Sequence, residues 1–233
     1  FVNEHYSPDR MILSAAGGID HDVLCKLAEK AFGDLKKPKS SPQSITAAFS
    51  GGEFRRDKKL EQAHFALAFE SPSYRSSDIY TAQVYSIALG GGMSSRLFQE
   101  IREKRGLCYS IFAQAGAFSD TGCTTIYAGT SAEQIPDLAN LTVREIKRAA
   151  MDLSEEEVTR ARSQMKAGLL MGLESPSSRA ERLARMVQIW GKVPSLDETI
   201  EKIDSVNLEK VRAYAKNVIS QAKFAMALYG PIS

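Results

Sequence analysis

The stretch Gly90-Gly91-Gly92-Met93-Ser94-Ser95-Arg96-Leu97-Phe98-Gln99-Glu100-Ile101-Arg102-Glu103-Lys104-Arg105-Gly106-Leu107-Cys108-Tyr109-Ser110-Ile111 joins a glycine run, a short basic helix and the opening of a strand. Three consecutive glycines cost backbone entropy that only unusual dihedrals or a close approach by other atoms would offset. Two readings of the run stand at this level: a flexible connector between helices, or a backbone that something approaches. A phosphate-binding P-loop and a dinucleotide fingerprint are both excluded. The run leaves a helix where those motifs leave a strand, and no Gly-Lys-Ser/Thr follows it.

Ser94 to Arg105 carries helical spacing, Gly106 is a stop, and Tyr109 opens a strand. A helix-turn-strand corner of this kind can aim Arg102 and Tyr109 to one side. Guanidinium and phenol are suitable donors to a peptide carbonyl or a developing oxyanion. A solvated helix arginine beside a half-buried strand tyrosine is the plainer alternative.

Outward from this segment, the chain alternates in type. Ala63, Phe65, Leu67 and Phe69 fall on one face of a period-2 strand, and Asp78 to Leu89 is an apolar helix. Tyr109 to Phe118, a turn at Ser119-Asp120-Thr121-Gly122, and Cys123 to Thr130 read as a strand pair. The second half is helical. Ser131 with Gln134, Ser154 with Glu157 and Ser195 with Glu198 have capping-box spacing, Pro176 breaks a helical run, and Asn207 can cap a last helix. Phe224, Met226 and Leu228 then form one side of a closing strand.

Strands early, helices late and a returning strand predict an α+β fold, a mostly antiparallel sheet packed on one side by helices. Upstream, residues 10–16 read as a strand ending at Gly17-Gly18, and Asp20 caps a helix bearing Val23, Leu24, Leu27, Ala28 and Ala31, stopped at Gly33. Residues 1–36 thus form a strand-helix unit too small for its own core. Residues 37–52, rich in Pro, Ser and Gly, read as a linker, and 53–233 as the main domain.

The 233 residues are 43% hydrophobic and 25% charged, with a formal charge of +2, which gives no support for a nucleic-acid partner. The longest uncharged run, Ile79 to Ser95, is 17 residues and contains polar side chains and three glycines, so no membrane span is expected. Cys25, Cys108 and Cys123 form no C-x-x-C pair, and a reducing compartment is the simpler setting. His5, His21 and His64 are scattered. His21 and Cys25 share a helix face, but two ligands are not a metal site, and neither H-E-x-x-H nor H-x-x-E-H occurs. No metal bound by this chain is expected. Cys108 reads as a small buried residue, not a reactive thiol.

The opening stretch resembles the C-terminal signature of zinc peptidases of the pitrilysin/insulinase family, above all the mitochondrial processing peptidase-like branch. His5-Tyr6-Ser7-Pro8-Asp9-Arg10-Met11 with Ala16 to His21, Leu60-Glu61-Gln62-Ala63-His64, and Leu173 to Ala184 agree in register. The resemblance implies two similar α+β domains closing like a clamshell, with zinc held by an H-x-x-E-H motif in the first. It implies that Arg102 and Tyr109, seven residues apart, point into the catalytic chamber and polarise a scissile carbonyl, and that Gly90, Gly91 and Gly92 lie near the peptide path. The chain then corresponds to the last strand and helix of the first domain followed by the second. Its implied partners are a peptide substrate and the zinc-bearing domain or a homologous partner subunit. By this resemblance the chain is the substrate-chamber half of a zinc metalloendopeptidase, inactive alone, in the bacterial cytoplasm or the mitochondrial matrix. The alternative is a non-catalytic peptide-binding or assembly subunit.

Overall fold

A computed structural model describes residues 1–35, 45–221 and 223–232. Most of the predicted linker, residues 37–44, lies outside the described residues. By its internal contacts the chain divides into two compact units, Phe1–Thr46 with Gly168–Ser195, and Ala47–Ala167 with Leu196–Ser233.

The second unit carries a five-stranded sheet. Its strands are β1 (Gly52–Asp57), β2 (Ala63–Ser71), β3 (Ser110–Ala117), β4 (Gly122–Thr130) and β5 (Phe224–Gly230), in the order β1-β5-β2-β4-β3. Only β1 and β5 pair in parallel; β5 with β2, β2 with β4 and β4 with β3 are antiparallel. The α+β, mostly antiparallel architecture expected from the sequence is therefore the observed one. The last strand returns to the sheet as expected, and it takes an interior place. It inserts between β1 and β2.

The alternation read along β2 is real: Ala63, Phe65, Leu67 and Phe69 are buried, while His64, Ala66 and Ala68 are half-buried on the other face. Their buried face is covered by α3 (Ile79–Gly90), α4 (Ile135–Asp152) and α8 (Leu208–Gln221). Val84, Tyr85 and Leu89 of α3, Leu138 and Ile146 of α4, and Val211 and Ala215 of α8 complete the core. Full burial of one such large apolar side chain contributes roughly 1.5–3 kcal/mol, so Phe65 and Phe69 alone anchor β2 firmly.

Two of the helix starts proceed as their spacing predicted. At α5 (Glu155–Gly172), Glu157 N–H donates to Ser154 Oγ (3.2 Å) and Ser154 N–H to Glu157 Oε2 (2.8 Å). At α8, Lys210 N–H donates to Asn207 Oδ1 (2.9 Å). Ser131 does not cap α4. A 3₁₀ turn, Ala132–Gln134, intervenes, Thr130 Oγ1 lies 2.5 Å from the Leu107 carbonyl that accepts from it and 3.3 Å from Gln134 Oε1, and Pro136 in the first turn has no N–H to satisfy. Between these helices and β5, α7 spans Leu196–Asp204.

The first unit contains α1 (Val2–His5), α2 (His21–Phe32) and α6 (Pro176–Trp190). Asp20 caps α2 through Val23 N–H (3.0 Å), and Pro176 does restart a helix, with Ser175 Oγ accepting from Ser178 N–H (3.3 Å). The strand expected over residues 10–16 is absent. Pro8–Arg10 is a 3₁₀ turn, and Met11, Ile12 and Leu13 are exposed without a ladder partner among the described residues. Apolar residues of strand type make no strand without a neighbour to take their backbone hydrogen bonds. The apolar stripe of α2 is likewise exposed at Val23, Leu27 and Phe32.

Candidate functional site

The helix predicted from Ser94 to Arg105 departs from regular α geometry. Over Phe98–Glu103 it is a π turn, in which Lys104 N–H donates to the Gln99 carbonyl five residues back (3.0 Å). Such wide turns are rare and occur often at functional sites. The turn ends on a glycine closure. Gly106 has φ of +63°, its N–H donates to Arg102 C=O (2.9 Å), and Leu107 N–H reaches Ile101 C=O (3.1 Å). The Gly106 bond is the 5→1 closure of an αL cap, with the Leu107 bond nested outside it, and the left-handed residue this cap needs is why Gly106 is a glycine.

That closure turns the chain so that Arg102 and Tyr109 meet. The guanidinium carbon of Arg102 lies 4.5 Å from the Phe98 ring centroid and 5.7 Å from that of Tyr109. Tyr109 N–H donates to Gly129 C=O (3.2 Å), which fixes its backbone at the mouth of β3, while its side chain is 80% exposed. Cys108, between them in sequence, is buried, and burial pushes its thiol up to about 11 against the opposing charge of Arg102. It is no thiolate nucleophile at neutral pH.

The three glycines are held by this chain's own atoms. None of Gly90, Gly91 and Gly92 has positive φ. Gly90 is buried, and a Cβ there would lie 2.6 Å from Ala113 N on β3. The Gly91 carbonyl accepts from Gln164 Nε2 (2.7 Å), and the Gly92 carbonyl from Ser95 Oγ (2.6 Å). What approaches Gly90 is the sheet.

Arg96 escaped the sequence reading. Its side chain is only 10% exposed, and it donates to both carboxylate oxygens of Glu157 (2.5 and 2.7 Å), to the Asp152 carboxylate and to the Asp152 carbonyl (3.0 Å). Burial opposes its charge, but Glu157 and then Asp152 hold the guanidinium well above its ordinary range. Burial also pushes the two carboxyls up, yet hydrogen bonds from Arg96 bring both below their usual values. The Glu157 that closes the α5 capping box thus also clamps the loop ahead of the π turn. Local spacing revealed the first role. Nothing in the sequence linked positions 96 and 157.

Zinc finds no fit among the described residues. His21 Nε2 and Cys25 Sγ lie 3.5 Å apart, on an exposed helix face. Among the described residues no group of three or more His, Cys, Asp or Glu side chains could hold a metal. Nor is any helix among them long and apolar enough to cross a membrane.

Residues 1–165 match the family model described as the peptidase M16 inactive domain. The chain belongs to this family. The inactive-domain assignment bears out the resemblance to the pitrilysin/insulinase zinc peptidases. Over 99% of its length the chain is 35% identical to the uncharacterized zinc protease YmxG of Bacillus subtilis, covering 56% of that protein. It is 36% identical, again over 99% of its length and 56% of the relative, to an uncharacterized zinc protease of Rickettsia bellii. A chain of complex III2 from Candida albicans, Inz-5 bound, superposes with a TM-score of 0.78 at 26% identity, with 93% of the present chain and 54% of that chain covered. The domain therefore spans about half the length of the relatives it matches.

Proposed function

We propose that this M16 domain is the substrate-chamber half of a zinc metalloendopeptidase that hydrolyses extended peptides or presequences. Arg102 and Tyr109 are its carbonyl-facing donors. The observation that carries the reading is the exposed Tyr109 side chain with the Arg102 guanidinium against its ring, held there by the π turn and the Gly106 closure. The exposed Tyr109 ring makes little core, so packing does not account for its placement. Gly91 and Gly92, half-buried beside this turn, are proposed to border the peptide approach; the buried Gly90 packs against β3.

Zinc belongs to the whole protein in this reading, held by residues outside those described here, in a preceding domain or a homologous partner subunit. Residues 1–36, with the exposed Met11–Leu13 and the exposed stripe of α2, would belong to that zinc domain, and residues 53–233 to the domain that faces it. The setting is the bacterial cytoplasm or the mitochondrial matrix, where three free thiols stay reduced.

The test uses the full-length protein, with zinc content and hydrolysis of a fluorogenic peptide measured together. Arg102→Ala and Tyr109→Phe should each lower kcat by about a hundredfold, as loss of a transition-state donor does, with zinc occupancy unchanged. Wild-type rates in both variants would overturn the assignment. The structural likeness to a chain of complex III2 favours a second reading, a non-catalytic peptide-binding or assembly subunit. A full-length protein that binds peptide but holds no zinc and shows no turnover would establish it.

A further inference from the structure

Along the π turn Glu100 is already taken. Its carboxylate accepts from Lys104 and from Arg105 (2.9 Å), and Arg105 also donates to the Glu100 carbonyl (2.6 Å). Arg96 is likewise held by the carboxylates of Glu157 and Asp152. Arg102 is held differently. Its side chain makes no hydrogen bond or ion pair among the described residues, and its guanidinium rests against two rings, Phe98 at 4.5 Å and Tyr109 at 5.7 Å. An arginine fixed by a carboxylate surrenders donors and charge to it. One fixed against a ring face keeps its N–H groups for another acceptor.

The two rings do not serve equally. Tyr109 is 80% exposed, and a ring so exposed is free to turn. Phe98 is half-buried and packs against the main core, next in sequence to the fully buried Leu97. Phe98 is therefore the fixed wall of the pair. Residues four apart already share a helix face, and the wider π turn over Phe98–Glu103 sets Arg102 more nearly above Phe98 than a 3.6-residue turn would. The position four residues before Arg102, where an acid would pair with it, is thus filled by an aromatic side chain.

We propose, resting on the reading of Arg102 as a carbonyl-facing donor, that Phe98 is its positioning residue. The ring is an apolar platform that fixes the guanidinium without occupying its donors. Phe98 acts through Arg102 and touches no substrate in this role. The arrangement suits a donor that meets a neutral carbonyl and strengthens as negative charge develops on its oxygen, because no carboxylate competes for the guanidinium. Leucine or methionine at position 98 would fill much of the same volume but offer the cation no ring face. Arg102 would then sample other rotamers and lose preorganisation.

Two readouts on the full-length protein test this. The first is the Arg102 Nε–H resonance in protein carrying isotope-labelled arginine, assigned by its loss in Arg102→Ala. A proton held over a ring face is shifted upfield, so the wild-type signal should lie upfield of those of exposed arginines. Phe98→Leu and Phe98→Met should each move it back, and Phe98→Tyr should not. The second is hydrolysis of the fluorogenic peptide, with zinc content and circular dichroism measured alongside. Phe98→Leu and Phe98→Met should lower kcat about three- to tenfold, the worth of one cation–π contact, with KM within about twofold and zinc occupancy unchanged. Phe98→Tyr, which keeps the ring, should retain wild-type kcat. In an Arg102→Ala background the same Leu or Met change should cost less than about twofold more, because the group it positions is gone. Equal costs in both backgrounds, wild-type kcat in both variants, or an Nε–H signal without the upfield shift overturns the role of Phe98 and leaves Arg102 as donor. If Arg102→Ala turns over like wild type, or the wild-type protein has no turnover, the donor reading fails and the positioning role with it.

Discussion

The Arg102 guanidinium rests 5.7 Å from the Tyr109 ring centroid, although a turn of helix, a left-handed glycine and a buried cysteine separate the two residues. The contact needs the ring, whereas a carbonyl donor needs the hydroxyl. Tyr109→Phe should therefore leave the urea midpoint of this chain within about 0.5 kcal/mol of wild type, as exposed substitutions do. In the full-length protein the same change should cost turnover. A large loss of stability would mark Tyr109 as a structural residue instead.

Arg96 should matter to stability far more than Arg102. Removing it strands Glu157, whose side chain is 18% exposed, and Asp152, which at 46% can rehydrate. Breaking a buried pair costs about 3–5 kcal/mol, and the partial exposure here lowers the expectation for Arg96→Ala to about 2–4 kcal/mol in chemical denaturation. Arg96→Lys should recover only part, because an ammonium cannot make the two-pronged contact with Glu157.

Gly90 and Gly92 should respond differently to the same methyl. At Gly90 the added carbon meets backbone and side-chain atoms of Ala113 at 2.6 and 2.7 Å, and Gly90→Ala should cost about 1–3 kcal/mol. At Gly92 it meets only the tip of Gln164 at 3.2 Å, and Gly92→Ala should stay within about 0.5 kcal/mol. Equal costs would show that the run acts as a unit.

Hydrogen bonds from Lys104 and then Arg105 hold the Glu100 carboxyl at about 2, down from 4.5. A carboxyl lowered on folding contributes stability that is fully present above its unfolded value and fades as pH falls toward its folded one. The contribution should thus disappear between about pH 4.5 and pH 2. Glu100→Gln should flatten that limb of the stability-pH curve, and an unchanged limb would mean the ion pairs are spent on solvent.

Thiol labelling should separate the cysteines. Cys25 is exposed, whereas Cys108 is buried with its thiol raised to about 11. Iodoacetamide at pH 8 should modify Cys25 in the folded chain and reach Cys108 only on unfolding, as mass mapping would show.

Several features were legible because their causes are local. The Ser154–Glu157 box, the Asp20 and Asn207 caps and the Gly106 closure act within about six residues, and the β2 alternation follows from the two-residue period of a strand. Residues 10–16 show the limit of that approach. Their composition suits a strand, but a strand is made by its neighbour, and none stands beside them among the described residues. The Ser131 box failed because a 3₁₀ turn, Ala132–Gln134, stands between the serine and the helix it was to cap. The π turn was also out of reach, since its residues read equally well as an α-helix.

The sequence by itself determined the class of fold, the family register and the positions of Arg102 and Tyr109 on either side of a helix-stopping glycine. Its opening glycine run suggested that something approaches the backbone, and only the tertiary structure decided what: β3 at Gly90 and α5 at Gly91. The same holds for β5 inserted between β1 and β2 and for Arg96 locked to a glutamate 61 residues away. Caps, periods and stops depend on atoms a few residues apart, so they are written in the local order of the chain. Contacts between distant segments depend on how every buried face is finally matched, and no short window of sequence contains that information.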